Sequence, residues 1–215
     1  MNELDLINQA AITYHPQPAF SSPLSAQEKV DAIAAHFQEI MQILGLDTNH
    51  PSLSKTPDRI ANMYIHELFR GLDTTSFPDM TYVDNDVIEE TQGMILVKGI
   101  PVKSTCEHHF VPIIGRAQVA YIPNQLILGL SKINRIVDYF CRRPQLQERL
   151  TAQIADCLSI LLHTEDVAVV IEAEHFCVTL RGVEHPSSRT LTTCLRGIFH
   201  NDPLYKTTLF NNLTT

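Results

Sequence analysis

The apolar positions of this 215-residue chain change their period near residue 81. Upstream, Val30, Ile33, Phe37, Ile40, Met41 and Leu44 recur every three or four residues, the spacing that lines one face of a helix. Ser25 and Glu28 form a capping box ahead of that run, and Gly45 ends it. A second helix is expected to start at Thr56, with its hydroxyl as cap and Pro57 placed where a missing N–H does no harm. Ile60, Met63, Tyr64 and Leu68 supply its apolar face, and Gly71 marks its stop. Residues 25–80 are thus expected to form an N-terminal helical section. Residues 1–24 mix Pro, Gln, Ser and apolar residues without a period and are expected to be a flexible arm.

Downstream the texture is that of strands. "MILVKGIPV" (94–102) and "GRAQVAYIP" (115–123) are rich in branched residues and bounded by Gly and Pro. Helical spacing returns over 131–141, and again after Pro144 through Leu146, Leu150, Ile154, Leu158 and Leu161. "VAVVIEAEHFCV" (167–178) predicts one long strand, and a last strand is expected near 190–199. The order strand, strand, helix, helix, strand, strand indicates an α+β domain over 81–200: a four-stranded antiparallel sheet with two long helices on one face. Residues 201–215 are left as a C-terminal tail. There is no internal repeat.

Composition narrows the function classes. Hydrophobic residues make up 44% and charged residues 19%, the balance of a globular protein. A formal charge of -8 argues against a general nucleic-acid or anionic-membrane binder. No window reaches the roughly 18 apolar residues of a membrane span. The first basic residue is Lys29, so a signal or transit peptide is not expected and the cytoplasm is the expected compartment. There the five cysteines should be reduced, which favours metal binding or burial over disulfides.

The chemistry concentrates in "STCEHHFVP" (104–112), where Cys106, Glu107, His108 and His109 are consecutive. Thiolate and imidazole are ligands that zinc prefers, and a turn can bring Cys106 and His109 onto one ion. Alternation along the expected strand 167–178 puts His175 and Cys177 on one face, and Cys177 would complete a two-cysteine, one-histidine set. Cys141 and Cys157 fall in helices, leaving no obvious fourth ligand. Three protein ligands with an open position is the catalytic pattern, whereas structural zinc sites are closed by four. Plainer readings stand beside this one: Cys177 as an inert packing cysteine, His175 as a satisfied core histidine. A zinc deaminase would need His-x-Glu paired with Cys-x-x-Cys, a pairing this chain lacks.

"STCEHHFVP", "AYIP", "GLSKINRIV", "RPQLQERLT" and "HFCVTLRGV", in this order and preceded by "SLSKTPDRIANMY", resemble GTP cyclohydrolase I over about residues 44–199. The resemblance implies the tunnelling fold, in which small sheets of several subunits join into a barrel, and a homodecamer of two facing pentamers with sites between subunits. It implies zinc on Cys106, His109 and Cys177, and conversion of GTP and water to 7,8-dihydroneopterin triphosphate and formate. It also implies proton transfer by His108 and His175, guanine reading by Gln147 and Glu148, and triphosphate contacts from Ser131, Lys132, Arg135, Arg181 and Arg59. Asn62 departs from the pattern, because the family usually has lysine there. A cysteine-nucleophile reductase or a pterin-processing lyase on the same fold would not need the Cys, His and Cys set together.

Overall fold

The computed structural model of the chain describes residues 22–84, 93–124, 126–185 and 187–213. Residues 1–21 of the expected arm lie outside the described residues.

The first helix, α1 (Ala26–Ile43), opens on the capping box: Glu28 N donates to Ser25 Oγ (3.3 Å), and Ser25 N donates to Glu28 Oε2 (2.7 Å). Gly45 follows it in the left-handed region at φ +79. The second helix, α2 (Thr56–Met63), begins one residue earlier than a Thr56 cap would allow. Thr56 N already donates to Leu53 O (2.9 Å), so its backbone is committed to the preceding turn and Lys55 takes the cap position without a side-chain bond. Val30, Ala34 and Ala61 seal the two helices together. The chain then tightens through a π turn (Tyr64–Leu68) and a 3-10 turn (Arg70–Leu72). Gly71 is less a helix stop than a point of close approach. Its N–H donates to Arg142 O (3.0 Å), and a Cβ there would overlap the Tyr139 carbonyl oxygen.

Among the described residues the main sheet has five strands rather than four. Its strands are β2 (Ile95–Cys106), β3 (Pro112–Tyr121), β5 (Pro144–Gln145), β6 (Val167–His175) and β7 (Thr190–Leu195), in the spatial order β5-β2-β3-β6-β7. The four long strands are antiparallel as expected. The fifth is a two-residue parallel edge, formed where the link between two helices passes Thr105 and Cys106. A separate pair joins β1 (Tyr82–Asp84) to β4 (Leu126–Leu128). Helices α3 (Leu130–Cys141) and α4 (Gln147–Leu162) cover one face of the sheet. Ile133, Ile136, Leu150, Ile154 and Leu158 pack there against Val102, Val119, Val169 and Ile171. Alternation sends Ala120 and Ala168 to the other face, where they meet Phe199 of α6 (Ile198–Asn201) and Leu209 of α7 (Pro203–Leu213). The segment read as a tail therefore carries a helix with a buried anchor.

Two strand ends differ from the sequence reading. β6 stops at His175 because its partner β3 begins at Pro112 and the last pairing is Ile113 with His175. Beyond that point the backbone bonds to itself: α5 (Phe176–Thr179) is a helical turn, with Leu180 N donating to Phe176 O (3.0 Å). Cys177 is therefore not on a strand face with His175. β7 ends at Leu195, because Gly197 at φ 49 turns the chain into α6 against Asp166. Among the described residues, no helix is long and apolar enough to cross a membrane.

Candidate metal centre and its surroundings

The loop between β2 and β3 is closed by its own backbone. Cys106 N donates to Val111 O (2.8 Å) and Phe110 N to Cys106 O (2.9 Å), while Glu107 N reaches Gln145 O of β5 (3.1 Å). Phe110 sits at φ 53, a left-handed conformation that costs a non-glycine residue on the order of 1–3 kcal/mol and must be held from outside. The N-terminal section supplies the grip. The Phe110 ring lies 5.2 Å from Phe69 and 6.3 Å from Tyr64, and Tyr64 is in turn 5.6 Å from Phe37 of α1. The π turn places Tyr64 and the residues after it against this loop.

Across from the loop, α5 presents Cys177. One ligand atom each from Cys106, His109 and Cys177 lie within 4.8 Å of one another, with Cys106 buried, Cys177 half-buried and His109 exposed. The donors suit zinc. Tetrahedral zinc with bonds of about 2.0–2.3 Å sets ligand atoms roughly 3.3–3.8 Å apart, so small side-chain movements bring these three onto one ion. Burial, and then the Cys106 sulfur beside it, push the Cys177 thiol up. Two sulfurs facing each other resist ionising together, and a divalent cation between them removes that resistance.

The neighbouring polar side chains fall into two groups. On the loop, His108 is exposed, with Nε2 3.6 Å from Glu107 Oε1. Arg149 of α4 grips the same carboxylate with both nitrogens, Nη1 to Oε2 at 2.6 Å and Nη2 to Oε1 at 3.3 Å. On the strand side, His175 Nε2 lies 2.7 Å from Oε1 of Gln147, the first residue of α4. Burial lowers the His175 pKa, and the Glu148 carboxylate works against that shift. Arg149 was not legible as a site residue. Its only sequence signal is a place on the same helical turn as Gln147 and Glu148.

The sequence profile of the family described as GTP cyclohydrolase I matches residues 33–214. Curated relatives named "GTP cyclohydrolase 1" include that of Tolumonas auensis, 54% identical over 182 residues covering 85% of this chain and 83% of that protein. The one from Aeromonas salmonicida is 51% identical over 186 residues, with coverages of 86% and 84%. The one from Vibrio cholerae is 46% identical over 209 residues, with coverages of 97% and 94%. The chain belongs to the GTP cyclohydrolase I family.

The residues that resemblance to GTP cyclohydrolase I singles out do not all meet within one chain. Cys106, His109 and Cys177 converge, with His108 on their loop and His175 ahead of α5. Arg181 follows α5, is exposed, and draws the Cys177 thiol down against the larger effects of burial and Cys106. Glu148 is exposed at the start of α4, whereas Gln147 beside it is only 1% exposed. Ser131, Lys132 and Arg135 open α3, at the end where Gly129 N meets Thr81 O. The other end of α3 is the one beside the metal loop, since Ser104 Oγ donates to Cys141 O (2.8 Å). From Ser131 to Cys141 the helix rises about 15 Å. Arg59 and Asn62 are exposed on α2, and Asn62 Nδ2 donates to Asp58 O of its own helix (2.8 Å).

Proposed function

We propose that the chain is a zinc-dependent GTP cyclohydrolase I, converting GTP and water to 7,8-dihydroneopterin triphosphate and formate at the entry to folate- and tetrahydrobiopterin-type pteridine biosynthesis. The observation that carries the reading is the convergence of Cys106, His109 and Cys177 with no fourth protein ligand among the described residues, in a chain of this family. Cys106, His109 and Cys177 would hold the zinc, which would supply Lewis-acid chemistry there.

The chain's own residues then divide the work. Glu148 presents a carboxylate that accepts from the N–H groups of guanine, a pattern adenine does not offer. Ser131, Lys132 and Arg135 grip the triphosphate, where the backbone N–H groups and dipole of the 12-residue helix α3 add to their charges. Arg181 and Arg59 add cationic contacts. His108 and His175 exchange the protons that opening the imidazole ring, releasing formate and reclosing the ring require, imidazole being the side chain suited to both directions near neutrality.

The phosphate end of α3 lies about 15 Å along the helix from the end beside the metal loop, which supports a site completed by a second chain. β7 is an outer strand with no strand beyond it among the described residues, an edge that assembly into a barrel would pair. That edge supports assembly through the sheet; with family membership we propose the tunnelling fold over 81–200 and a decamer of two pentamers, placed in the cytoplasm, with 25–80 as the helical section that holds the metal loop.

The test measures formate release and the fluorescence of the oxidised pterin product from GTP, beside zinc content by atomic absorption. Turnover is expected to track zinc occupancy, with Cys177→Ser losing both. Full-rate turnover by metal-free protein, or none by the zinc-loaded protein, would overturn the reading.

A further inference from the structure

Gln147 opens α4, where a polar side chain would ordinarily face water, yet it is only 1% exposed. Its Nε2 lies 3.0 Å from each of three oxygens: Ile171 O of β6, Thr190 O of β7 and Thr192 Oγ1 of β7. The two carbonyls can only accept. The hydroxyl is an acceptor here as well, for a reason two bonds away. Thr151 Oγ1 spends its hydrogen on Gln147 O (2.7 Å), so the 2.6 Å contact between Thr151 and Thr192 must be donated by Thr192. With its hydrogen used there, Thr192 offers only lone pairs to the amide. Every partner of Nε2 is therefore an acceptor, and the amide cannot be flipped.

This orientation determines the state of the histidine. Oε1 of Gln147 faces His175 Nε2 at 2.7 Å, and a carbonyl oxygen cannot donate. The hydrogen of that bond has to sit on Nε2. Resting on the cyclohydrolase reading, we infer that Gln147 is a positioning residue for His175. It fixes the ring's tautomer and orientation, and does not read guanine. Successive residues on a helix point about 100° apart, so Glu148 faces outward because Gln147 faces inward. The amide has no free hydrogen left to offer a base.

The two roles separate in steady-state kinetics. Gln147→Met keeps the volume and removes both the donor and the acceptor. It is expected to lower kcat about tenfold or more, up to the roughly 10²–10⁴-fold that complete loss of a positioned acid or base costs. KM for GTP and the preference for GTP over inosine triphosphate, which lacks the 2-amino group, are expected to hold. In a His175→Ala background the same change should add less than twofold, since residues that act as a unit are not additive. A raised KM with loss of GTP preference at unchanged kcat would return Gln147 to guanine reading, and a full additive loss would make it merely structural.

If Gln147→Met does not fold, Thr192→Val withdraws one acceptor and carries the same comparison with a smaller effect. The nitrogen-15 shifts of His175 in histidine-labelled protein need no turnover, so they test the inference apart from the activity. They should report hydrogen on Nε2 in the wild type and a mixture in the variant. Hydrogen on Nδ1 in the wild type would overturn it.

Discussion

Arg149→Met cuts the brace between α4 and the metal loop. The Glu107 and Arg149 side chains are 14% and 13% exposed and meet through two nitrogen–oxygen contacts, so the variant strands a carboxylate that little water reaches. Removing one partner of a fully buried pair costs about 3–5 kcal/mol. The remaining exposure reduces that here, to roughly 2–3 kcal/mol. For a chain of this size, melting points fall about 2–4 °C per kcal/mol, giving a drop of about 4–12 °C. Glu107 stands between Cys106 and His109, so part of the loss must appear as looser ligand positions. Partners one step removed from a metal typically tune affinity by about 10–100-fold. Thermal melts and zinc competition against a chelator measure the two effects separately. Glu107→Gln combined with Arg149→Met should recover part of the stability, because the stranded charge is gone. A zinc affinity within twofold of wild type in Arg149→Met would refute the idea that this pair positions the loop.

Asn62→Lys places a charge where Asn62, among the described residues, bonds to its own helix; it is expected to lower KM for GTP several-fold to about tenfold at low salt with kcat nearly fixed, the gain fading as salt screens it. An unchanged KM at low salt removes residue 62 from the phosphate site. Gly71→Ala forces a methyl group into the Tyr139 carbonyl, a clash between two backbones that costs about 1–3 kcal/mol or more. A melting point within 1 °C of wild type would show that the 3-10 turn can move away.

Local signals in the sequence translated directly into structure. The Ser25 and Glu28 box spans four residues and needs no distant partner, and both of its bonds are present. Cys106 and His109 were equally legible, because their spacing fits one loop. Cys177 does converge with Cys106 and His109, but by another route than the strand face expected for it. Alternation placed it on a strand, but the ladder ends at His175 because only Pro112, which has no N–H to give, lies beyond Ile113 in β3, a fact of another part of the chain. The burial of Gln147 was illegible for a similar reason, because Thr190 and Thr192 arrive from β7 to enclose it. β5 is two residues long, too short for any period to show.

The length of α3 has a consequence for how damage is inherited. Ser131, Lys132 and Arg135 stand at one end of the helix and the Cys106–His109 loop at the other, so in the assembly proposed above the phosphate grip a chain carries would serve a neighbour. On that proposal a chain that loses Lys132 would keep its own metal and impair the site next door. A chain that loses Cys177 would forfeit its own metal while still serving that neighbour. In a mixed ring the two defects would fall on the same site or on different ones, so two inactive alleles would make a partly active enzyme.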